Sequence, residues 1–123
     1  MADTNIATDE TDRLIASNKV EGTAVYNRNG DKLGSVYNFM VDKRSGRAEY
    51  AVMSFGGFLG IGDEYHPLPW DQLTYDTDKG GYVVNLTKEQ FEGGPSYRAG
   101  QEPTFDRAYG QEVYGYYGSS YNY

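Results

Sequence analysis

The chain has 123 residues, a mass of 13.8 kDa and a formal net charge of −7, from 18 acidic against 11 basic side chains. A length typical of one domain excludes a two-lobed enzyme with a cleft between lobes. The acidic balance argues against bare DNA or RNA and against an anionic membrane surface, because phosphate contacts draw on clustered Lys and Arg. With no Cys and one His, disulfides, a thiol nucleophile, Cys-ligated zinc and His-rich metal sites are excluded.

Residues 1–13 read as a polar, acidic tail. A signal peptide needs a basic start and an apolar run, and a spanning helix needs ~20 apolar residues. Neither pattern is visible, so the expectation is a cytoplasmic chain without membrane insertion. From Leu14 to Tyr97 apolar and polar residues alternate between regular turn signals. Val20–Arg28 reads as a strand ending at Asn29-Gly30-Asp31, since Asn-Gly between β-prone runs is a strong hairpin signal. Lys32–Asp42 is the second strand, with Gly34 marking a bulge or bend. After the turn Lys43–Gly46 comes Arg47–Phe55, with Ala48/Tyr50/Val52 on one face and Glu49/Ala51/Met53 on the other. Both faces are fairly apolar, which places this strand centrally in the sheet.

Gly56–Gly62 reads as a glycine-rich loop. Glu64–Leu68 is a strand whose pairing is restricted at Pro67 and Pro69, because proline has no N–H for the ladder. A tight turn at Trp70–Leu73, extended Thr74-Tyr75 and a turn over Asp76–Gly81 lead to a last strand, Tyr82–Leu86. Thr87 and Gln90 are spaced as a capping box for a short helix, Lys88–Phe91, stopped by Gly93-Gly94-Pro95. Five or six short antiparallel strands in this span are expected to close into a small barrel, which removes exposed sheet edges.

These segments together resemble the PRC-barrel family. The residues that carry the resemblance are Val20–Asn27, Gly30–Val36, Val41–Arg47, Ser54–Gly62, Tyr65–Trp70, Gly81–Leu86 and Phe91–Tyr97. It covers Leu14–Tyr97 and implies an all-β fold, a small, strongly bent antiparallel barrel with a short C-terminal helix and flexible tails. The family includes the cytoplasmic domain of the photosynthetic reaction-centre H subunit, the C-terminal domain of a ribosome-maturation factor, and stand-alone bacterial proteins. This chain shows neither a transmembrane anchor nor a second barrel. The resemblance therefore implies a docking module without catalytic residues, rather than either specific role.

Candidate sites are few. Gly57-x-x-Gly60-x-Gly62 lacks the spacing, the following helix and the charge of a phosphate cradle. Phe58, Leu59 and Ile61 on that loop either fold over a barrel end or form an exposed partner patch. Asp76–Gly81 begins like a calcium loop, but Gly80 and Thr87 stand where ligands are needed, so a hairpin turn is expected. His66 shares a strand face with Glu64. A metal site there would need Asp63, Glu64 or Asp71 to converge on it, and the expected role is structural. Trp70 is expected to plug the core or a barrel end. Lys43, Arg44 and Arg47 form the one basic cluster, on a turn expected to be solvated. Adjacent carboxylates at Asp9-Glu10 and Asp63-Glu64 would point to opposite faces of a strand and make no acid/base couple.

The tail, 98–123, holds six of the thirteen tyrosines and no Leu or Ile. Phe105, Tyr109 and Val113 are spaced for one helix face, and Thr104 is a possible cap. Gly110 weakens such a helix. Disorder in solution is the favoured expectation, with docking on the barrel or a neighbouring subunit as the alternative. The expected activity is non-enzymatic protein binding by a homo-oligomer without cofactor or metal. Its contacts would come from Phe58, Leu59, Ile61, Tyr114, Tyr116 and Tyr117. The alternative is a ribosome- or RNA-processing-associated accessory factor, which the net charge opposes.

Overall fold

The computed structural model of the chain describes residues 14–55 and 64–122. A single helical turn, α1 (Ser17–Val20), precedes the first hairpin, β1 (Ala24–Asn27) and β2 (Lys32–Val41). Then follow β3 (Ala48–Phe55), β4 (Glu64–Pro69), a 3-10 turn (Trp70–Gln72), β5 (Thr74–Asp76) and β6 (Gly81–Val84). Helix α2 (Lys88–Glu92), a short strand β7 (Tyr97–Arg98) and helix α3 (Arg107–Tyr116) complete the chain. The strands form one sheet in the order β5-β6-β1-β2-β3-β4-β7.

Two sequence expectations are corrected here. The sheet is mixed, because β1 and β6 run parallel (Val25 opposite Tyr82) while the other neighbours are antiparallel. A parallel pair needs a long crossover, and β2 to β5 supply it. Nor does a ladder join β5 to β7 among the described residues, so hydrogen bonding does not close the ring. The sheet is nonetheless strongly bent. Strands lie ~4.8 Å apart, so β4 and β6, four spacings apart, would be ~19 Å apart if flat. The Trp70 ring, next after β4, lies 5.9 Å from the Tyr82 ring on β6. Register shifts at Val25/Tyr26, Val36/Asn38 and Met40/Val41 supply the bending. Gly34 sits opposite the first shift, and any side chain there would strike the Ser54 carbonyl.

The hairpin between β1 and β2 is held by Asn27, only 6% exposed. Its Oδ1 accepts from the backbone N–H of Asn29 at 3.0 Å and of Asp31 at 2.9 Å, while Gly30 takes φ 87°. The predicted helix cap is present in full. Thr87 Oγ1 accepts from Gln90 N at 3.0 Å and Gln90 Oε1 accepts from Thr87 N at 2.9 Å. Inside the bend, Val25, Val36, Met53, Leu68, Val84 and Phe91 are buried in one cluster, each contributing about 1.5–3 kcal/mol by leaving water.

The tail is the third correction. It is not an extension of loose chain: α3 packs against β4 and, with the residues around it, covers the outer face of the sheet. Its cap is Asp106, whose Oδ1 accepts from Tyr109 N at 2.9 Å; Thr104 lies outside the helix. Gly110 costs helix propensity but is required, because Tyr121 folds back over it and a Cβ would fall inside that ring.

Candidate docking face

Strand alternation sends the side chains of β3 to opposite faces. Met53 joins the inner cluster, whereas Tyr50 centres a second cluster with Val113 and Tyr114 on the outside. Val52 shares the Tyr50 face, and Pro69 and Pro67 on β4 stand directly opposite Tyr50 and Val52. All four are buried. The pairing of β4 with β7 stops at Tyr65, two residues before Pro67, where no N–H is offered. Beyond that point α3 packs against β4 in place of a neighbouring strand.

The seam is aromatic. The Tyr50 ring lies 5.2 Å from Phe105 and 5.7 Å from Tyr114, both edge-on. The line continues through Tyr97, 6.3 Å from Phe105, then Tyr65 at 5.6 Å and Tyr37 at 4.4 Å. Tyr37 is half exposed. Polar fastenings ring the seam. Tyr114 OH donates to the Glu49 carbonyl, and Tyr121 OH donates to Glu49 Oε1 at 3.0 Å. Gln72 Nε2 donates to Ser119 Oγ at 2.9 Å, and Tyr116 OH donates to the Gln90 carbonyl at 2.8 Å.

Within the seam the hydroxyls of Tyr109 and Tyr117 are buried without a hydrogen-bond partner among the described residues. Burial, with the charges of Tyr97 and Glu112 nearby, pushes the Tyr109 phenol up to about 12. Burial does the same to Tyr97, which also reaches about 12, with Glu102 adding to it. Tyr117 and Tyr50 are raised by burial as well.

The expected contact residues fall into three groups. Phe58, Leu59 and Ile61 lie outside the described residues. Tyr114 is buried and fastens α3 to β3 of its own chain rather than facing outward. Tyr117 is half-buried and touches both clusters, with its ring edge-on to Tyr116 at 4.8 Å. Tyr116 alone of the three tyrosines keeps much of its ring in solvent, at 46% exposure. Sequence reading missed Tyr50, Glu49 and Gln72 as the seat. The two-sided apolar pattern of Ala48–Met53 was the available signal, since such a strand needs cover on both faces.

The remaining candidates are structural in this geometry. His66 points inward, its ring 4.6 Å from Phe91. Burial holds it below the usual imidazole range, against the opposing pull of Glu64, Glu92 and a hydrogen bond to the Phe91 backbone. Among the described residues no three His, Cys, Asp or Glu are grouped to hold a metal; Asp63 is not among them. Asp76 Oδ1 accepts from the N–H of Asp78 at 2.9 Å and Lys79 at 3.2 Å, so its carboxylate closes a turn. Asp42 does the same for Arg44 and Ser45, each at 2.8 Å, and these backbone bonds, Ser45 first, lower its pKa. Lys43, Arg44 and Arg47 are exposed on that turn. Trp70 is half-buried against Phe39 at 5.7 Å and Tyr82. A groove of about 560 Å³ is polar and open, lined by residues such as Arg28, Asp71, Thr74 and Asp76. No described helix is long and apolar enough to cross a membrane.

The model of the PRC-barrel domain matches residues 12–91. The chain belongs to the PRC-barrel family. An uncharacterised protein of Deinococcus radiodurans is 33% identical over 92 residues. That stretch is 75% of this chain but 30% of the Deinococcus protein, so the chain spans about a third of that relative's length. The PRC match stops at the end of α2; β7, α3 and the segment after it lie beyond. The outer face of β3 and β4 thus belongs to the PRC unit, and its cover does not.

Proposed function

We propose that this PRC-barrel chain acts by docking onto another protein and not by turning over a substrate. The observation that carries the reading is the two-sided burial of β3: Tyr50 at 2% and Met53 at 0% exposure lie on opposite faces. A small sheet that must be covered on both sides offers an apolar surface wherever that cover is absent, and such surfaces mark interaction sites. The Deinococcus relative supports the reading from another side, since the matched unit is there one part of a longer chain. Tyr116, and from the sequence Phe58, Leu59 and Ile61, are the proposed accessory contacts, and self-association is part of the proposal.

The test is affinity capture on the full chain from native cells at two salt concentrations, followed by titration of each retained protein in purified form. The expected result is a saturable one-to-one complex with Kd below ~10 μM, in the range of transient specific interfaces. Absence of saturable binding by every retained protein refutes the docking reading. Ribosomal subunits retained only at low salt would redirect it to the ribosome-associated alternative, for which a net charge of −7 predicts weak attachment. For self-association, Phe58→Asp with Leu59→Asp should lower the mass seen by light scattering while the fold persists.

A further inference from the structure

We propose that the outer face of β3 and β4 is the docking surface of this barrel, that it accepts an amphipathic protein helix with large apolar side chains at i, i+4 and i+8, and that residues 105–121 are its built-in, displaceable occupant. The inference rests on the docking reading above and names the surface and the kind of partner.

Three observations carry it. The first is where the parts come from. Tyr50, Val52, Pro67 and Pro69 lie inside the stretch matched to the PRC family, and α3 lies outside it. The second is the chemistry of the fit. Tyr109, Val113 and the C-cap residue Tyr117 meet the Tyr50 cluster at successive turns of α3, with Phe105 joining from just before the N-cap, which is the pattern a groove reads in a helical partner. Glu49 adds a backbone carbonyl and a carboxylate at the rim, which take the Tyr114 and Tyr121 hydroxyls.

The third is the quality of the seal. The Tyr109 and Tyr117 hydroxyls are desolvated with nothing described to receive them, which weakens the closed state relative to phenylalanine at the same places. Open grooves of about 310 Å³, beside Tyr50, Phe105 and Tyr121, and about 260 Å³, beside Tyr116 and Tyr117, flank the segment. Gly110 and Gly115 lie within α3, where each lowers intrinsic helix stability. The connector is exposed at 99–102 and at 104. It turns at Gly100, φ 83°, through one bond from Gln101 N to Arg98 O at 2.9 Å. Lifting α3 from this connector breaks no strand pairing.

The experiment uses the full chain throughout. Native-state hydrogen exchange follows the amides of 107–116 and of 50–53. A fluorescent synthetic peptide of residues 103–122 is added in trans and followed by anisotropy. The α3 amides are expected to exchange through an opening that leaves β3 protected, and the peptide is expected to bind saturably. Tyr121→Phe, which releases Glu49, should raise α3 exchange and tighten peptide binding roughly tenfold. Tyr109→Phe with Tyr117→Phe keeps the shape and removes the unpaired hydroxyls. It should slow α3 exchange and weaken peptide binding roughly fivefold.

Exchange of α3 and β3 together, only through global unfolding, overturns the proposal. So does a peptide that fails to bind Tyr121→Phe protein whose β3 amides remain protected. No outside partner enters these measurements, so their failure leaves docking through another face standing. Failure of the capture experiment sinks the docking reading by itself.

Discussion

Beneath the bent sheet Val25, Met53, Leu68 and Phe91 pack as an apolar layer, into which the buried His66 ring also points. Above it Tyr50, Tyr109, Tyr114 and Tyr121 do the same work with four phenols. Both layers exclude water, but they differ in what they leave over. An aliphatic contact asks nothing beyond shape, whereas a buried phenol needs a hydrogen-bond partner or costs its desolvation. The inner layer is therefore the one whose loss unfolds the domain, and the outer layer is the one that can open without it.

The largest effect expected follows from that contrast. Phe91→Ala removes a ring with 0% exposure at the centre of the inner cluster, and such truncations cost about 3–5 kcal/mol. Chemical denaturation should show much or all of the stability of a domain this size gone. Gly110→Leu drives a side chain into the Tyr121 ring, yet should unseat only the C-terminal segment. Circular dichroism would lose α3 while the β signal and the main unfolding midpoint persist. Equal collapse of both variants would erase the distinction between the two layers.

The same contrast decides what could be read from the sequence. The boundaries of β2, β3 and α2, the Thr87/Gln90 box and the bend at Gly34 were legible because local rules set them: alternation, turn chemistry, capping. The parallel pairing of β1 with β6 was not, since no local signal tells a strand which distant neighbour it will meet. The tail misled for another reason. Its Gly, Ser, Asn and Tyr content matches that of disordered segments, and Gly110 counts against a helix. What orders it is a seat 45 to 72 residues away, at Gln72 and Glu49. The clue lay in β3, whose apolar outer face required a cover that the barrel strands do not supply.

Alkali should act on the outer layer first. Tyr97 and Tyr109 hold their protons to about 12, above the ordinary phenol value of about 10. Their folded pKa values are raised, so the stability they contribute is complete below pH 10 and lost as pH rises through 12. Difference absorbance should show late phenolate formation coincident with loss of α3. Ionisation completed well before α3 melts would contradict it.

Acid acts on the inner layer, through His66. Its folded pKa lies below 6.5, so an unfolded chain takes up a proton that the buried imidazole refuses. Stability is complete above pH 6.5 and falls below it, by at most about 1.4 kcal/mol per pH unit until the folded value is reached. His66→Leu, similar in bulk, should flatten the profile between pH 6.5 and 5. Parallel profiles for the two proteins would remove His66 from the account.

The smallest effects sharpen the comparison most, because they use one kind of interaction in each layer. Thr87 caps α2, which carries Phe91 into the inner core; Asp106 caps α3, which covers the outer face. Loss of either cap to alanine costs about 1 kcal/mol of helix stability. In Thr87→Ala that cost belongs to the cooperative unit and should appear as a lower midpoint of the whole transition. In Asp106→Ala it is charged to the segment alone, so the midpoint should hold while the amides of 107–110 exchange roughly fivefold faster. If both variants instead lower the midpoint equally, α3 is an integral part of the fold, and the two layers unfold as one.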